Sequence, residues 1–237
     1  DHRRGVVAEL GEPHRPLRGG RIWTWRWPTT LPRAGWGWCR VYHRSAHTPD
    51  GVTHRGYGPL ARLDHHTPPP DAPAMCPDGR TVLYVAGSLS TALGEVFGDL
   101  EEAAICPGYR VALLRPRAEI ITLDLRSEGA AMRIGALPSL ATGAYPRPHT
   151  QRWARAIYED QPARRPVDGV YYHAAHSNGR ALALWNTDAD VETVASPSGE
   201  DQDFALNDPR MWRRVVVAAG DLGMTAARID ACPRCGS

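Results

Sequence analysis

The chain has 237 residues, with 28 basic residues against 26 acidic ones, a net charge of +2 at pH 7 and 42% hydrophobic residues. This length and apolar content suffice for one large domain or two small ones with a substantial core. The balanced charge argues against bulk binding of nucleic acid, and no apolar run approaches the roughly 18 residues that a membrane span requires.

Cysteine usage and the N-terminus both bear on the cellular compartment. The five cysteines are scattered, and their odd number does not suggest a disulfide framework. The first residues, Asp1-His-Arg-Arg, lack the apolar stretch of a secretory signal. We therefore expect a reduced, cytoplasmic protein.

The first third of the chain contains few regular patterns. Residues 1–35 are rich in Arg, Gly and Pro, which predicts a loosely ordered arm with one short aromatic strand or docking segment at 22–27. Residues 36–44 alternate large apolar with polar side chains, as a strand does. Three adjacent prolines at 68–70 predict an extended loop.

The clearest pattern is a strand that runs directly into a helix. Residues 81–86 are β-branched and apolar, as in a buried strand, and Ser88 or Ser90 can cap the helix that follows. Three apolar residues four apart form one face of this helix: Leu89, Leu93 and Phe97. Glu95 lies at the edge of that face. It is either a solvated carboxylate or a group that shares a pocket with Tyr84 of the strand.

The remaining predicted elements are mostly strands. Residues 101–104 are expected to continue or end the helix. Strands are predicted at 109–114, 120–125, 168–173, 180–185 and 213–219, with helices at 130–140 and 150–159 and a hairpin turn at 176–179. These elements predict a single α+β domain over residues 36–220, with mixed or antiparallel sheets and a few short helices, followed by a tail at 221–237.

Two arginines lie where a charge needs a partner. Arg40 and Arg62 each belong to a short apolar segment, and a lone guanidinium there is costly unless it is paired. Each is either bonded to a structural carboxylate or backbone carbonyl, or positioned to bind a phosphate, which its planar fork suits.

The residues do not predict a metal site. Cys232-Pro-Arg-Cys235 offers two ligands where a structural zinc needs four, and the other Cys and His residues show no matching second pair. His65 and His66 point to opposite faces of an extended segment and cannot easily share an ion with Asp64, so a structural or pocket-edge role is favoured. The GxGxxG, GxxxxGK[ST] and GxSxG motifs are absent.

Several spaced blocks resemble one known family. They are Trp38-Cys-Arg40-Val-Tyr, then Tyr57-Gly-Pro-Leu-Ala-Arg62-Leu-Asp-His-His, then Val82-Leu-Tyr-Val-Ala86 with Thr91-Ala-Leu-Gly-Glu95, and finally Asp168-Gly-Val-Tyr-Tyr-His-Ala174 with Ala181-Leu-Ala-Leu-Trp185. Their order over about residues 36–190 resembles the RES domain family, which is named after an Arg, a Glu and a Ser. The resemblance implies a fold similar to that of ADP-ribosyltransferases.

The resemblance also implies an activity and partners. Members are toxins of bacterial toxin-antitoxin pairs, neutralised by an Xre-type helix-turn-helix antitoxin. They degrade NAD⁺ by hydrolysis or phosphorolysis of the nicotinamide-ribose bond, and some modify proteins with ADP-ribose. The implied substrate is NAD⁺ without a metal, nucleic acid or membrane partner, and homo-oligomerisation is left open.

Matching the family pattern residue by residue implies a site. Glu95 is the catalytic carboxylate, Arg40 and Arg62 hold the pyrophosphate, and Tyr84 lines the pocket beside Glu95, stacking on nicotinamide or bonding to the ribose. The family serine is replaced by Ala174, and Ser177 lies three residues further on, in the predicted turn.

The alanine leaves other functions open. A domain that binds NAD⁺ without turnover is one alternative, and a protein ADP-ribosyltransferase is another. The weakest is a zinc or nucleic-acid module formed by the C-terminal cysteines and the Arg-rich arm.

Overall fold

The computed structural model of the chain describes residues 10–20, 22–30, 37–142 and 145–236. Within these ranges the strands are β1 Thr24–Arg26, β2 Cys39–His43, β3 Tyr57–Gly58, β4 Ala74–Met75, β5 Val82–Ala86, β6 Glu102–Ile105, β7 Tyr109–Pro116, β8 Ile121–Asp124, β9 Gly169–His173, β10 Arg180–Trp185, β11 Val191–Thr193, β12 Asp203–Ala205 and β13 Thr225–Arg228. The α-helices are α1 Leu89–Phe97, α2 Ala130–Arg133, α3 Arg147–Asp160 and α4 Pro209–Gly220. None of these helices combines the length and apolar character needed to cross a bilayer.

A mixed sheet forms the centre of the molecule. Its neighbour order is β1-β8-β9-β10-β5-β2-β7-β11, and β12 also pairs with β7. Strands β8 and β9 are parallel, and the other neighbours in this sheet are antiparallel. Two small pairs, β6 with β13 and β3 with β4, complete the strands. The predicted α+β class with mixed sheets and short helices is confirmed.

Side chains alternate between the two faces of the sheet, as a strand requires. In β10, Ala181 and Ala183 pack into the same cluster as Trp153 and Ile157 of α3. Leu182, between them, packs on the opposite face with the aromatic side chains of the N-terminal segment. Helices α1 and α4 form a separate cluster with β2, β6 and β7. Both sheet faces are therefore covered over their central strands.

The predicted strand and helix at 81–98 are confirmed as β5 and α1. Ser88 caps the helix by accepting a hydrogen bond from the backbone N–H of Thr91 at 3.1 Å. Leu93 and Phe97 are buried and Glu95 is exposed, as the helical spacing predicts. The hairpin of β9 and β10 is also confirmed.

Two predicted elements have the wrong type. Residues 101–104 do not extend α1: β6 begins at Glu102 and pairs in parallel with β13, a strand 120 residues away that local pattern cannot reveal. Residues 213–219 lie in helix α4, not in a strand. Asp208 caps this helix and Pro209 opens it.

The helix predicted at 130–140 is interrupted. It consists of the single turn α2 and a 3-10 turn at Pro138–Leu140. Pro138 lacks a backbone N–H and its ring blocks a continuous helix, so residues 130–140 cannot form one α-helix.

Part of the N-terminal segment is packed into the domain. Strand β1 pairs with β8, and Leu10, Leu17 and Trp27 are buried. Asp160 accepts hydrogen bonds from the guanidinium of Arg15 and the backbone N–H of Leu17. This differs from the loosely ordered arm expected for residues 1–35, because Leu10, Leu17 and Trp27 bury apolar area that isolated motifs do not reveal. Residues 1–9, 21 and 31–36 lie outside the described ranges.

The C-terminal cysteines have nearby partners. Cys232 and Cys235 lie beside Cys106, which follows β6, and His43, which ends β2. The expectation that no second ligand pair accompanies the C-terminal cysteines is therefore wrong. The cause is the β6–β13 pairing, which carries the end of the chain to residues 126 and 189 positions away in sequence.

Helix α4 gives a direct test of the corrected fold. Val215 is fully buried, whereas Val217 is 58% exposed. We expect Val215→Ala to lower the free energy of unfolding by about 2 kcal/mol. Val217→Ala should change it by less than about 0.5 kcal/mol. Denaturant unfolding of the two variants measures both. In a strand, positions 215 and 217 share a face, so equal effects would contradict the helix.

Candidate active site

Glu95 lies where helix α1 meets the turn between β9 and β10. A Cβ atom at position 98 would lie 2.3 Å from Cγ of His176, so only glycine lets this turn approach the end of α1. The close approach brings the backbone N–H of Ala175 near the Glu95 carboxylate, where it favours the ionised form. The turn therefore forms one side of the surroundings of this carboxylate.

The pKa of Glu95 is raised above the usual glutamate value. Partial burial in the recess between α1 and the turn is the main cause, although the side chain remains open to solvent. The charges of Arg62 and His176, with the Ala175 amide, act in the opposite direction and favour the carboxylate. Glu95 is thus a carboxyl group in a partly desolvated, positively charged environment.

Arg62 lies beside Glu95 and is held by backbone carbonyls. Its Nη2 donates to the carbonyl oxygens of Ala141 at 3.2 Å and His173 at 3.1 Å. The guanidinium lies over the ring of Tyr172, 4.7 Å from its centroid. Nε and Nη1 are buried and have no hydrogen-bond partner among the described residues. Two donors of a fixed cation are therefore left for a ligand.

Tyr84 is linked to this arrangement through Asp64. Its hydroxyl donates to Oδ1 of Asp64 at 2.8 Å and accepts from the backbone N–H of Leu63 at 3.1 Å. Burial, together with the nearby Asp64 charge, raises the pKa of Tyr84 well above its ordinary value. Tyr84 thus fixes the segment that carries Arg62.

Asp64 is fully buried and organises the loop before it. It accepts two hydrogen bonds from Nη2 of Arg55, at 2.9 and 2.7 Å. Its Oδ2 also accepts from the backbone N–H groups of Leu60 at 2.6 Å and Ala61 at 2.9 Å. The Leu60 and Ala61 amides tie Asp64 to the Arg62 segment and the Tyr84 hydroxyl ties it to β5, so Asp64 is a positioning residue.

Arg40 is not brought together with the other three predicted residues. It alternates along β2 with Cys39 and Val41, which pack beneath α1, and so faces the other side of the sheet with Tyr42. Its Nη1 donates to the carbonyl oxygens of Gly51 at 3.1 Å and Thr53 at 2.6 Å. Desolvation lowers the pKa of Arg40 to about 10. These contacts agree with the structural alternative for Arg40, a guanidinium bonded to backbone carbonyls.

Ala174 precedes the turn between β9 and β10, and Ser177 lies within that turn. Ala174 is buried, and its backbone N–H donates to the Gly179 carbonyl at 2.8 Å. The Ser177 hydroxyl accepts from the backbone N–H of Gly179 at 3.1 Å. Ser177 therefore lies in the turn, as its sequence position indicates, and its side chain faces α1 near Gly94.

His65 and His66 are buried and structural. The His65 ring packs 4.4 Å from the centroid of Tyr158 and 5.2 Å from that of Trp185. Desolvation lowers the pKa of His65 to about 2, which keeps the ring neutral. His66 Nε2 bonds to the carbonyl of Arg55 at 3.1 Å. Neither ring adjoins Glu95, and the favoured structural role agrees with these contacts.

A separate surface groove lies between the first turn of α1 and helix α4. Ser88, Ser90, Arg213 and Asp221 are among its lining residues. None of the predicted site residues lines it, so it is distinct from the recess at Glu95.

Sequence reasoning missed Asp64, Tyr172 and the Ala175 amide as parts of the site. Asp64 was considered only as a metal ligand. Its position between Leu63 and His65 in a buried segment is the available signal, because a buried carboxylate requires a cationic partner. No local signal identifies the Ala175 amide, since a turn 80 residues from Glu95 supplies it.

The fold and the site together define a class of protein. It is a single α+β domain that gathers Arg62, Tyr84 and the Glu95 carboxyl group over one face of the sheet. The RES domain profile matches residues 38–207, well over half of the chain, and the chain belongs to the RES domain family. A chain of the M. tuberculosis MbcT-MbcA toxin-antitoxin complex aligns with a TM-score of 0.48 and 17% identity, covering 84% of this chain and 92% of that one. No curated protein sequence matches the chain.

We expect Asp64→Ala to lower the free energy of unfolding by about 3–5 kcal/mol, because it leaves the Arg55 charge and two backbone donors without their buried acceptor. Denaturant unfolding measures this loss. Glu119→Gln is the control: its pair with Arg26 is 66% and 47% exposed on the two sides, and its removal should cost less than about 1 kcal/mol. Equal losses in the two variants would contradict the organising role of Asp64.

Glu95 should make stability depend on pH. Because its pKa is raised in the folded chain, the folded state holds the proton more tightly, and stability falls as pH rises from the ordinary value of 4.5 through the folded value. We expect Glu95→Gln to be more stable than the wild type near neutral pH. Unfolding measured at a series of pH values should show this advantage shrinking toward pH 4.5. An advantage independent of pH would argue against the desolvated recess.

Proposed function

We propose that the chain is an NAD⁺-degrading toxin of a bacterial toxin-antitoxin pair. Membership of the RES domain family supports the general assignment. The chemistry rests on one observation: Arg62 has two buried donors without a hydrogen-bond partner among the described residues, and its charge acts on the nearby Glu95 carboxyl group. An anionic substrate with a reacting centre that becomes positive suits this pair of groups.

The proposed reaction breaks the bond between ribose C1′ and the nicotinamide nitrogen. The electron pair of that bond leaves with nicotinamide, and an oxocarbenium ion develops at C1′. The Glu95 carboxylate stabilises this positive charge, and Arg62, His176 and the Ala175 amide favour its ionised form against the desolvation that raises its pKa. Water then attacks C1′ and releases a proton, giving ADP-ribose, or phosphate attacks and gives its 1-phosphate ester.

Arg62 is the proposed ligand of the substrate pyrophosphate. Its Nε and Nη1 present adjacent donors, which match two oxygens of a phosphate group. The bonds to Ala141 and His173, and the Tyr172 ring beneath, hold the guanidinium in place before substrate binds. The side chain of Arg40 faces the other side of β2, away from Arg62. Its contact with the pyrophosphate stays a prediction.

In this proposal Tyr84 mainly positions the segment that carries Arg62. Its hydroxyl is engaged by Asp64 and Leu63, so stacking of its ring on nicotinamide is the interaction that remains open to it. The proposed setting is the cytoplasm, with an Xre-type helix-turn-helix antitoxin as the partner.

The replacement of the family serine supports a second candidate, an NAD⁺-binding domain without turnover. Ala174 is buried and offers no hydroxyl to the substrate. A lost hydrogen bond of this kind costs about 1–3 kcal/mol, or about 10- to 150-fold in rate, which impairs an enzyme without abolishing it. Calorimetry that detects NAD⁺ binding without nicotinamide release would favour this candidate. Transfer of labelled ADP-ribose to lysate proteins would favour a protein ADP-ribosyltransferase.

Nicotinamide release by the purified chain, with and without phosphate, tests the proposal. We expect Glu95→Gln to lower kcat by about 100-fold or more, because the carboxylate stabilises charge that exists only in the transition state. Arg62→Gln should mainly raise KM, since the guanidinium binds the pyrophosphate in ground and transition states alike.

Glu101→Gln provides the matched control. This exposed carboxylate lies six residues beyond Glu95, outside the recess, and its loss should leave both constants unchanged. Equal nicotinamide release by wild type and Glu95→Gln would refute the catalytic role of Glu95.

A further inference from the structure

Four potential metal ligands converge in a part of the domain that contains none of the candidate active-site residues. They are His43 at the end of β2, Cys106 directly after β6, and Cys232 and Cys235 after β13. Cys106 is fully buried, Cys232 is partly buried and Cys235 is exposed. The cluster is thus open enough at one side for an ion to enter.

The distances within the cluster are nearly those of a tetrahedron. Cys106 Sγ lies 3.4 Å from Sγ of both Cys232 and Cys235, and those two sulfur atoms are 3.8 Å apart. Nε2 of His43 lies 3.4 Å from the first sulfur and 3.6 Å from the other two. Tetrahedral zinc with the usual bond lengths to sulfur and nitrogen requires edges of about 3.8 Å between two sulfur atoms and about 3.5 Å between sulfur and nitrogen. All six edges agree with these values to within about 0.4 Å.

The backbone on both sides has the form of short turns that present sulfur. Cys106-Pro-Gly and Cys232-Pro-Arg-Cys235 each begin with Cys-Pro. In each turn the cysteine carbonyl accepts from the N–H three residues on: Tyr109 to Cys106 at 3.1 Å and Cys235 to Cys232 at 2.9 Å.

His43 is oriented toward the three sulfur atoms by its surroundings. A Cβ atom at position 108 would lie 2.5 Å from Nε2 of His43, so the glycine makes room for the ring. The Tyr109 ring packs edge-on against the imidazole, with centroids 4.9 Å apart. The nitrogen is therefore directed at the cluster by packing that is already complete without an ion.

We propose that His43, Cys106, Cys232 and Cys235 bind one structural zinc ion. Three thiolates and one imidazole form a closed tetrahedral set that leaves no position for a substrate, as structural zinc sites do. Soft sulfur ligands in this geometry select zinc over magnesium or calcium. The proposal is independent of the NAD⁺ chemistry, because no ligand belongs to the recess at Glu95.

The ion would add a cross-link to the contacts that already attach the C-terminal residues to the domain. The C-terminal residues are attached by the four-residue pairing of β13 with β6 and by the bond from Ile229 N–H to the Ile105 carbonyl. A metal bound to both sides adds a cross-link between the chain end and the central sheet at β2. Metal binding here would therefore contribute directly to the stability of the α4–β13 unit.

Metal analysis of the full chain, purified under reducing conditions without added metal, tests the proposal. We expect one zinc per chain. Cobalt(II) added to the chelator-treated chain should give the intense visible bands of tetrahedral cobalt with thiolate-to-metal charge transfer, and one equivalent of zinc should abolish them.

Variants locate the site. Cys235→Ser should weaken zinc affinity by at least about 100-fold, since even outer-sphere changes cost 10- to 100-fold. Cys235 is exposed, so this substitution leaves the core intact. Cys76→Ser is the matched control: Cys76 is buried, lies outside the cluster and bonds to Thr67 and Asp78. It should retain one zinc per chain.

Three results would overturn the proposal. The first is a reduced chain that neither contains zinc nor binds added zinc or cobalt. The second is iron or copper in place of zinc. The third is a thiol titration of the denatured, chelator-treated chain that detects two thiols fewer than its five cysteines. A disulfide would then explain the short sulfur distances. Equal zinc content in Cys235→Ser and Cys76→Ser would refute the assigned ligands.

Discussion

The buried Asp64 carboxylate is the interaction on which the candidate site depends. It accepts hydrogen bonds from Arg55, from the hydroxyl of Tyr84 and from two backbone amides. A carboxylate without solvent is tolerated only with such complete pairing. The pairing fixes the segment on which Arg62 lies, two residues before Asp64. The segment of this arginine is held by other groups, while two of its donors lack a hydrogen-bond partner within the described part of the chain.

The second constraint is the packing of the β9–β10 turn on helix α1. Glycine at position 98 admits the His176 ring, and the turn then supplies an amide to Glu95. Desolvation and the positive neighbours act on this carboxyl group in opposite directions. A carboxyl group whose pKa is shifted by desolvation and by specific charged neighbours is typical of functional sites. Arg62 and Glu95 thus owe their proximity to two separate pieces of packing, which meet over one face of the sheet.

Much of the fold follows from local patterns, and the exceptions share a cause. The strand at 82–86, its helix and the hairpin at 169–185 have clear periodicity and strong turn residues, so sequence alone predicted them. The valines at 215–217 favour a strand by composition, but Val215 is buried together with Met211 and Ala218 at helical spacing. Tertiary packing against α1 outweighs the β-branched preference there. Residues 102–105 become a strand only because β13 pairs with them.

The sequence by itself determined the family, the α+β class and the candidate residues Glu95, Arg62 and Tyr84, because these depend on short motifs and local periodicity. Only the tertiary structure decided which residues meet. It separates Arg40 from Glu95 by the alternation of a strand and recruits Asp64 to position Arg62. It also brings Cys106 and His43 to the C-terminal cysteines. Contacts across more than 100 residues arise from strand pairing, for which a single sequence carries no local signal.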